Sequence, residues 1–99
     1  MTNQIDTRYK RLSEWTSKTL LITGGTGSFG RAVLHRFLDA DLAEIRIFSR
    51  DEKKQDDMRT KYSHPKLKFY IGDARDYQSV LNVVRGVDFI FHAAALKQV

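Results

Sequence analysis

Short apolar runs recur along the chain, and a polar or amphipathic stretch separates each run from the next. Each run is too short for a buried helix and is rich in β-branched and aromatic side chains, a combination that favours strands. We therefore predict four strands, at Thr19–Thr23, Glu44–Phe48, Leu67–Ile71 and Val87–His92.

The stretch after the first run has the clearest helical pattern. Phe29, Val33 and Phe37 are spaced four apart. Leu34 and Leu38 lie beside them, so an apolar stripe follows one face of a predicted helix.

The second helical stretch, Asp51–Tyr62, is strongly polar. Its apolar anchors are Met58 and Tyr62. Pro65 prevents the helix from continuing, because proline lacks the backbone N–H that a helix interior needs.

A third helix is predicted between the third and fourth strands. Asp76 is a suitable N-cap and Gly86 a suitable C-terminal residue. The apolar spacing between them predicts an inner face of four residues: Tyr77, Val80, Leu81 and Val84.

The alternation of strands and helices predicts the fold class. Crossovers between parallel strands are right-handed, and an alternating order gives a parallel sheet flanked by helices. A doubly wound arrangement places the strands in the order 3-2-1-4. We therefore predict an α/β protein with a Rossmann-like fold and a partial parallel sheet.

Composition excludes several classes of protein. The chain has 99 residues and no cysteine, which excludes disulfides and cysteine-based metal or catalytic sites. No apolar run reaches the roughly 18 residues of a membrane span. The net charge is +5, but charges of both signs are mixed along the chain, so we expect no nucleic-acid partner. We expect a soluble, cytoplasmic protein without membrane contact.

The segment between the first strand and the first helix is rich in glycine. Gly25, Gly27 and Gly30 match the pattern G-x-G-x-x-G, and Gly24 allows the related G-x-x-G-x-x-G. Glycines here turn the backbone tightly and let it approach a pyrophosphate, which the free amides of the helix end attract. A strand-to-helix turn without a ligand is the alternative. Because a strand precedes the loop and a helix follows, we predict dinucleotide binding.

From this loop and the strands around it we predict two segments in the chain. Residues 19–99 are the N-terminal half of a Rossmann dinucleotide-binding domain, truncated after the fourth strand. Residues 1–18 are a polar N-terminal extension.

The end of the second strand indicates which dinucleotide binds. NAD sites place a carboxylate there, about 20 residues beyond the loop, to bind the ribose 2′-hydroxyl. Here Ser49 and Arg50 follow the strand, and a hydroxyl with a guanidinium suits a 2′-phosphate. Lys53 adds positive charge, whereas Asp51 and Glu52 leave NAD as the alternative. We predict NADP.

The ends of the third and fourth strands supply further candidates. Asp73 lies at the carboxyl edge, where ligands bind, and can accept a hydrogen bond from the adenine amino group. Ala93, Ala94 and Ala95 are small enough for close approach of the ribose or nicotinamide, with a plain helix start as the alternative. We predict that His92 is a satisfied core histidine rather than a catalytic one.

Four stretches resemble the amino-terminal part of the extended short-chain dehydrogenases. Two of them, Ser49-Arg50-Asp51-Glu52 and Ala93-Ala94-Ala95-Leu96-Lys97, are similar to the UDP-N-acetylglucosamine 4,6-dehydratases of surface polysaccharide pathways. The stretches cover residues 23–30, 48–55, 69–73 and 92–99.

The resemblance implies that these positions bind the cofactor. The implied contacts are Thr26, Ser28, Phe29 and Gly30 with the pyrophosphate, Ser49 and Arg50 with the 2′-phosphate, Asp73 and Ala74 with adenine, and Ala93, Ala94 and Lys97 with the nicotinamide ribose.

The resemblance also implies a UDP-sugar substrate and a reaction. The sugar is oxidised at C4 by hydride transfer to NADP, water is lost across C5 and C6, and the hydride returns to C6. Two alternatives remain, a UDP-sugar 4-epimerase, in which the ketone is reduced again at C4, and a non-catalytic NADP-binding module. An open fourth strand would favour a homo-oligomer.

The catalytic tyrosine–lysine pair of short-chain dehydrogenases has one candidate here, Tyr62 with Lys66. Pro65 lies between them and disfavours the helical geometry that would put both side chains on one face. We therefore assign no catalytic residue to this chain and expect no turnover from it alone.

Overall fold

The computed structural model describes residues 15–93, in which strands and helices alternate as the apolar pattern predicts. The sheet order is β3-β2-β1-β4 with every neighbouring pair parallel, which confirms the α/β fold and the 3-2-1-4 order. The elements are β1 (Thr19–Thr23), α1 (Ser28–Phe37), β2 (Glu44–Ser49), α2 (Glu52–Tyr62), β3 (Leu67–Ile71), α3 (Tyr77–Val84) and β4 (Phe89–His92).

The side chains of the central strand β1 alternate between two apolar layers. On one face, Leu20 and Ile22 pack with residues of α1 and α2. On the other face, Leu21 packs with Phe48 of β2 and with Val83 of α3. Because both faces are covered, the strand is continuously apolar, as is typical of parallel sheets. This core holds the carboxyl ends of β1 and β2 in register.

Helix α3 packs through a different face from the predicted one. Val83 is 1% exposed, whereas Tyr77 is 76% exposed and Leu81 39%. The face that meets the sheet is centred on Val80 and Val83, so the side chains of Tyr77 and Leu81 lie beyond its edge. Our prediction that Tyr77 and Leu81 face inward was therefore wrong.

The carboxyl end of α3 is held by a charged side chain of β2. Nη1 of Arg46 donates to the carbonyl oxygens of Val83 and Arg85, both at 2.8 Å. The last carbonyls of a helix have no intrahelical donors, so this guanidinium satisfies two of them. Its Nε also pairs with Glu44 at 2.6 Å. These contacts fix α3 against the sheet.

Strand β4 lies at the edge of the sheet and begins at Phe89, later than the predicted Val87. Ile90 is 57% exposed. His92 is also exposed and shares a hydrogen bond between its Nδ1 and Oγ1 of Thr23. The histidine is satisfied as predicted, but its assignment to the core was wrong, because within residues 15–93 strand β4 has a neighbouring strand on one side only.

Trp15 lies near the end of the predicted N-terminal extension and packs on the main body. Its ring centroid is 5.0 Å from that of Phe37 and 4.4 Å from that of Phe89. The indole therefore covers the start of β4 on the face that carries α1. Residues 1–14 lie outside the described residues.

Helix α2 ends at Tyr62 as its sequence predicts and begins at Glu52, one residue later than predicted. The carboxylate of Asp51 accepts a hydrogen bond from the Lys54 N–H at 3.0 Å. Ser63 ends the helix in the left-handed region, with φ of +42°, and Pro65 follows. The capping role of Asp51 bears on the candidate site, because one of its oxygens is already in use.

Two classes of feature are missing from residues 15–93. None of the helices there has the length and apolarity needed to cross a membrane. Nor does that part of the chain bring together three or more side chains able to hold a metal ion.

Candidate functional site

A cleft of about 930 Å³ opens over the carboxyl ends of β1, β2 and β3. Ligands of open α/β sheets bind at this edge. We call it the carboxyl-edge cleft. It is lined by Gly24, Thr26, Gly27, Phe48, Ser49, Arg50, Asp51, Glu52, Lys54, Gly72, Asp73, Ala74 and Arg75.

The glycine loop turns sharply as soon as β1 ends. Gly24 has a φ of +68°, in the left-handed region that glycine adopts without strain. Its N–H donates to the carbonyl of Phe48 at 2.8 Å, and the Gly27 N–H donates back to the Gly24 carbonyl at 3.2 Å. The turn delivers the chain directly to the first residue of α1.

Gly30 lets α1 approach the loop closely. A Cβ atom at this position would lie 2.5 Å from Cα of Gly25 and 2.6 Å from the carbonyl oxygen of Gly24. These are backbone atoms, so no side-chain rotation relieves the overlap. The close packing brings the first turn of α1 up to the carboxyl-edge cleft, and only glycine allows it.

The first turn of α1 has free hydrogen-bonding capacity. Its N-cap, Gly27, has no side chain to accept a hydrogen bond, and no acidic residue lies in the first turn. By contrast, α2 is capped by Asp51. The first N–H groups of a helix have no intrahelical partners and carry partial positive charge. This end of α1 is therefore suited to an anionic group such as a phosphate.

Ser28 and Phe29 start α1, but their side chains do not line the carboxyl-edge cleft. Phe29 is 44% exposed, and its ring centroid lies 5.6 Å from that of Phe91. What these two residues offer a ligand in the cleft is their backbone N–H groups.

Of the three residues predicted to recognise a 2′-phosphate, two line the cleft and one does not. Ser49 and Arg50 both line the cleft, and the Arg50 side chain is 68% exposed. Nζ of Lys53 lies 3.7 Å from the carboxylate of Asp57 and outside the lining, whereas the neighbouring Lys54 lines the cleft. The predicted additional cation was therefore off by one residue, because Lys54 and not Lys53 lies at the rim of the cleft.

Asp73 is the most heavily engaged carboxylate of the cleft. It accepts hydrogen bonds from the backbone N–H of Arg75 at 2.9 Å and from Nη2 of the same arginine, also at 2.9 Å. Nη1 of Arg50 lies 3.7 Å away. The hydrogen bonds from Arg75 are the main cause that lowers the pKa of Asp73 from 3.8 to about 2. Asp73 thus shapes its own loop as well as the cleft.

Replacing Arg75 tests this cause. Because the folded pKa of Asp73 lies below its ordinary value, ionisation of Asp73 stabilises the fold above about pH 3.8, and the contribution is lost as the pH falls towards 2. In Arg75→Gln we expect the pKa of Asp73 to rise but stay below 3.8, since the backbone N–H and Arg50 remain. A carbon-13 NMR titration of the Asp73 carboxyl measures it.

Lys53→Gln is the matched control for that titration, because Lys53 pairs with Asp57 rather than with Asp73. It should leave the pKa of Asp73 unchanged. An Asp73 carboxyl that titrates alike in Arg75→Gln and in the unsubstituted chain would contradict the assigned cause.

The alanines predicted to approach the cofactor are only partly described. Ala74 lines the cleft beside Asp73. Ala93 follows β4 and is 1% exposed. The predicted contacts Ala94, Ala95 and Lys97 lie outside the described residues.

The rejected tyrosine–lysine pair lies far from the cleft. Tyr62 ends α2, and Lys66 immediately precedes β3, which places both at the opposite edge of the sheet. Nζ of Lys66 donates to the carbonyls of Ala40, at 2.7 Å, and Leu38, at 3.3 Å. The lysine therefore holds the start of the α1–β2 connection, directly after α1.

Sequence reasoning missed three polar residues at or behind the cleft: Lys54, Gln55 and Arg75. Gln55 is 1% exposed and reaches Ser49 and β3 from α2. Its spacing of three and seven from Met58 and Tyr62 places it on the buried stripe of that helix, a signal that was present in the sequence. For Arg75 no sequence signal pointed to the loop contact with Asp73.

Solved structures share this fold and part of this sequence. The chain is 32% identical to Pen from Bacillus thuringiensis, with a TM-score of 0.76 over 79% of this chain and 24% of that one. A putative 3-oxoacyl-reductase from the same species is 20% identical with a TM-score of 0.62, over 77% of this chain and 35% of that one. The second likeness is one of fold alone.

Curated relatives are more similar in sequence. The chain is 67% identical to the UDP-glucose 4-epimerase of Rickettsia akari and 66% identical to that of Rickettsia canadensis, each over 89 residues. In both comparisons the match covers 86% of this chain and 26% of the relative. The chain therefore spans about a quarter of the length of the relatives that it matches.

The family comparison agrees with both. Residues 20–99 match the family described as polysaccharide biosynthesis protein, a range that takes in the sheet, the glycine loop and every residue of the carboxyl-edge cleft. On this match, the chain is a member of the polysaccharide biosynthesis protein family.

Proposed function

We propose that this chain forms the NADP-binding part of a UDP-sugar 4-epimerase. The observation that carries the proposal is the uncapped first turn of α1, which the glycine loop and Gly30 bring up to the carboxyl-edge cleft. The relatives named UDP-glucose 4-epimerase supply the reaction class.

The residues of the cleft fit a dinucleotide in shape and in chemistry. The backbone N–H groups of Ser28, Phe29 and Gly30 would hold the diphosphate, with Thr26 and Gly27 lining the approach. A Cβ at Gly30 would collide with the backbone of Gly24 and Gly25 and would push the first turn of α1 away from the loop that positions those N–H groups. The volume of about 930 Å³ accommodates a ligand of this size.

At the far end of the cleft, hydrogen-bond donors outnumber free carboxylates near the end of β2. Ser49 and Arg50 would hold the 2′-phosphate, and Lys54 adds a cation at the rim. Of the two carboxylates that the sequence left as ribose ligands for NAD, Asp51 uses one oxygen to cap α2, and Glu52 lines the cleft. Asp73 would then face the adenine. This balance supports NADP over NAD.

Held by the N–H groups of the first turn of α1 and by Ser49 and Arg50, NADP in its oxidised form would supply reversible hydride transfer at C4 of the sugar, which inversion at that carbon requires. This chain would bind the cofactor and orient it at the carboxyl edge of the sheet. The residues that move protons on the sugar would come from outside the described part.

A 4,6-dehydratase is the second candidate. It is favoured by the resemblance of Ser49-Arg50-Asp51-Glu52 to that subfamily. The two reactions share the oxidation at C4 and the same cofactor-binding residues. They differ in the next step: the epimerase reduces the ketone again at C4, whereas the dehydratase first removes water across C5 and C6.

Calorimetric titration of the purified chain tests the cofactor assignment. We expect NADP to bind at least about ten-fold more tightly than NAD, because a 2′-phosphate adds charge-assisted hydrogen bonds to Ser49 and Arg50. Adenosine 2′-phosphate, which lacks the diphosphate, should bind more weakly than NADP. A chain that binds neither dinucleotide would refute the proposed function, and a preference for NAD would refute its NADP part.

A further inference from the structure

One polar side chain is buried directly behind the carboxyl-edge cleft. Gln55 of α2 is 1% exposed, among the most deeply buried side chains of the described part. Its Nε2 lies 2.9 Å from the carbonyl oxygen of Tyr70 and 3.0 Å from Oγ of Ser49. It joins α2, β3 and the end of β2 at the point where the 2′-phosphate would bind.

These neighbours determine the orientation of the Gln55 side-chain amide. Nε2 also lies 3.5 Å from the carbonyl oxygen of Ser49, so two backbone carbonyls surround it. Carbonyl oxygens only accept hydrogen bonds, so the NH₂ of Gln55 must face them. One of its hydrogens goes to Tyr70 and the other to the hydroxyl of Ser49.

The hydroxyl of Ser49 is therefore an acceptor on its buried side. A serine hydroxyl has one hydrogen to donate, and this contact leaves that hydrogen unused. Within residues 15–93, Oγ of Ser49 has no hydrogen bond besides the one from Gln55. Since Ser49 lines the carboxyl-edge cleft, the hydrogen is available to a ligand there.

The nitrogen and the oxygen of the Gln55 amide differ in their hydrogen bonding. Oε1 of Gln55 is buried and has no hydrogen-bond partner among the described residues. An unpaired buried carbonyl is unfavourable, and an apolar side chain would fill the same space without that penalty. What the Gln55 side chain contributes at this position is therefore the hydrogen bonds of its NH₂ group.

We propose that Gln55 is a specificity-determining residue that presents the Ser49 hydroxyl to the cleft as a donor. A 2′-phosphate only accepts hydrogen bonds, so it matches a donor. The ribose 2′-hydroxyl of NAD can also accept from Ser49, but it is a neutral acceptor and gains a weaker hydrogen bond than a charged phosphate does. The inference rests on the proposed function and adds to it a residue that selects between the two cofactors without touching either.

A double-mutant cycle between positions 49 and 55 tests this. The single variants are Gln55→Met, which keeps the length of the side chain and removes the donor, and Ser49→Ala. The readout is the ratio of the dissociation constants for NAD and NADP. We expect each variant to lower that ratio by roughly ten-fold, the scale of one hydrogen bond to a charged group. The double variant should lower it no further than Ser49→Ala alone.

A matched control is available on α3. Gln78→Met makes the same replacement at an exposed position outside the cleft, where Nε2 of the glutamine reaches only Asn82. It should leave the ratio unchanged. If Gln55→Met weakens both cofactors equally and leaves the ratio intact, Gln55 is merely structural and the inference is overturned.

A measurement on the unsubstituted chain covers the case in which Gln55→Met does not fold. Both side-chain amide hydrogens of Gln55 should be protected from exchange in nitrogen-15 NMR spectra, because each is in a hydrogen bond. Exchange at the solvent rate by the hydrogen directed at Ser49 would show that this bond is absent, which overturns the inference.

The failure of this inference and that of the proposed function give different results. An unsubstituted chain that binds neither dinucleotide contradicts the proposed function, and one that does not prefer NADP contradicts its NADP part. An unsubstituted chain that prefers NADP, together with a Gln55→Met variant of equal preference, contradicts the role of Gln55 alone.

Discussion

Gly30→Ala is expected to abolish measurable binding of NADP to the chain. The added Cβ would lie 2.5 Å from Cα of Gly25 and 2.6 Å from the carbonyl oxygen of Gly24, so the loop and α1 must separate. That separation moves the first-turn N–H groups away from the diphosphate. Losing one or two charge-assisted hydrogen bonds, at about 1.5–3 kcal/mol each, weakens binding roughly 100-fold or more. Calorimetry with NADP measures the loss.

Gly86→Ala is the control for that experiment. Gly86 has a φ of +77°, and a Cβ there would meet nothing within 4 Å. The substitution should lower the free energy of unfolding by about 1 kcal/mol through backbone strain, and leave the NADP affinity unchanged. Gly30→Ala with unchanged affinity would show that close packing of α1 on the loop is not what holds the diphosphate.

The fold was predictable because it follows from periodicity. Leu20, Leu21 and Ile22 are all buried in β1, and a strand covered on both faces is continuously apolar. The polar stretches between the runs have room for a helix, and right-handed crossovers then leave few ways to order the strands. The glycine loop was predictable for a similar reason, since its spacing reflects backbone geometry.

What could not be predicted depends on which neighbours each side chain meets. Spacing alone allowed Tyr77 and Leu81 to face inward, and only the position of α3 over β1 and β2 selects Val83 instead. The contact between Arg75 and Asp73 lies within a loop that has no periodicity. Gln55 lay on an apolar stripe, but a polar residue there was easily assigned to the exposed face.

The two arginines of the cleft act on the same carboxylate in different ways. Arg75 binds Asp73 through three hydrogen bonds from its side chain and one from its backbone, and so belongs to the structure of the loop. Arg50 lies at 3.7 Å with a 68% exposed side chain, so it is held more loosely and can turn towards a ligand. An exposed cation beside the closer Arg75–Asp73 ion pair is suited to bind an incoming phosphate.

Arg50→Ala is accordingly expected to reverse or remove the preference for NADP. The substitution deletes a charge-assisted donor to the 2′-phosphate, which weakens NADP binding by roughly 10- to 100-fold. It also leaves Asp73 with less positive charge beside it, and that carboxylate repels the 2′-phosphate of NADP but not the uncharged ribose hydroxyl of NAD. NAD binding should therefore stay within about three-fold of its original value, or improve. Parallel calorimetric titrations with the two cofactors measure both effects.

Lys61→Ala separates this local effect from the loss of one positive charge. Lys61 lies on the last turn of α2, outside the lining of the carboxyl-edge cleft, and its removal changes the net charge by the same amount. Exposed charges beyond about 10 Å are largely screened at 0.1 M salt, so neither affinity should change under those conditions. Equal losses of NADP affinity in the two variants would mean that long-range attraction, and not a contact from Arg50, selects the phosphorylated cofactor.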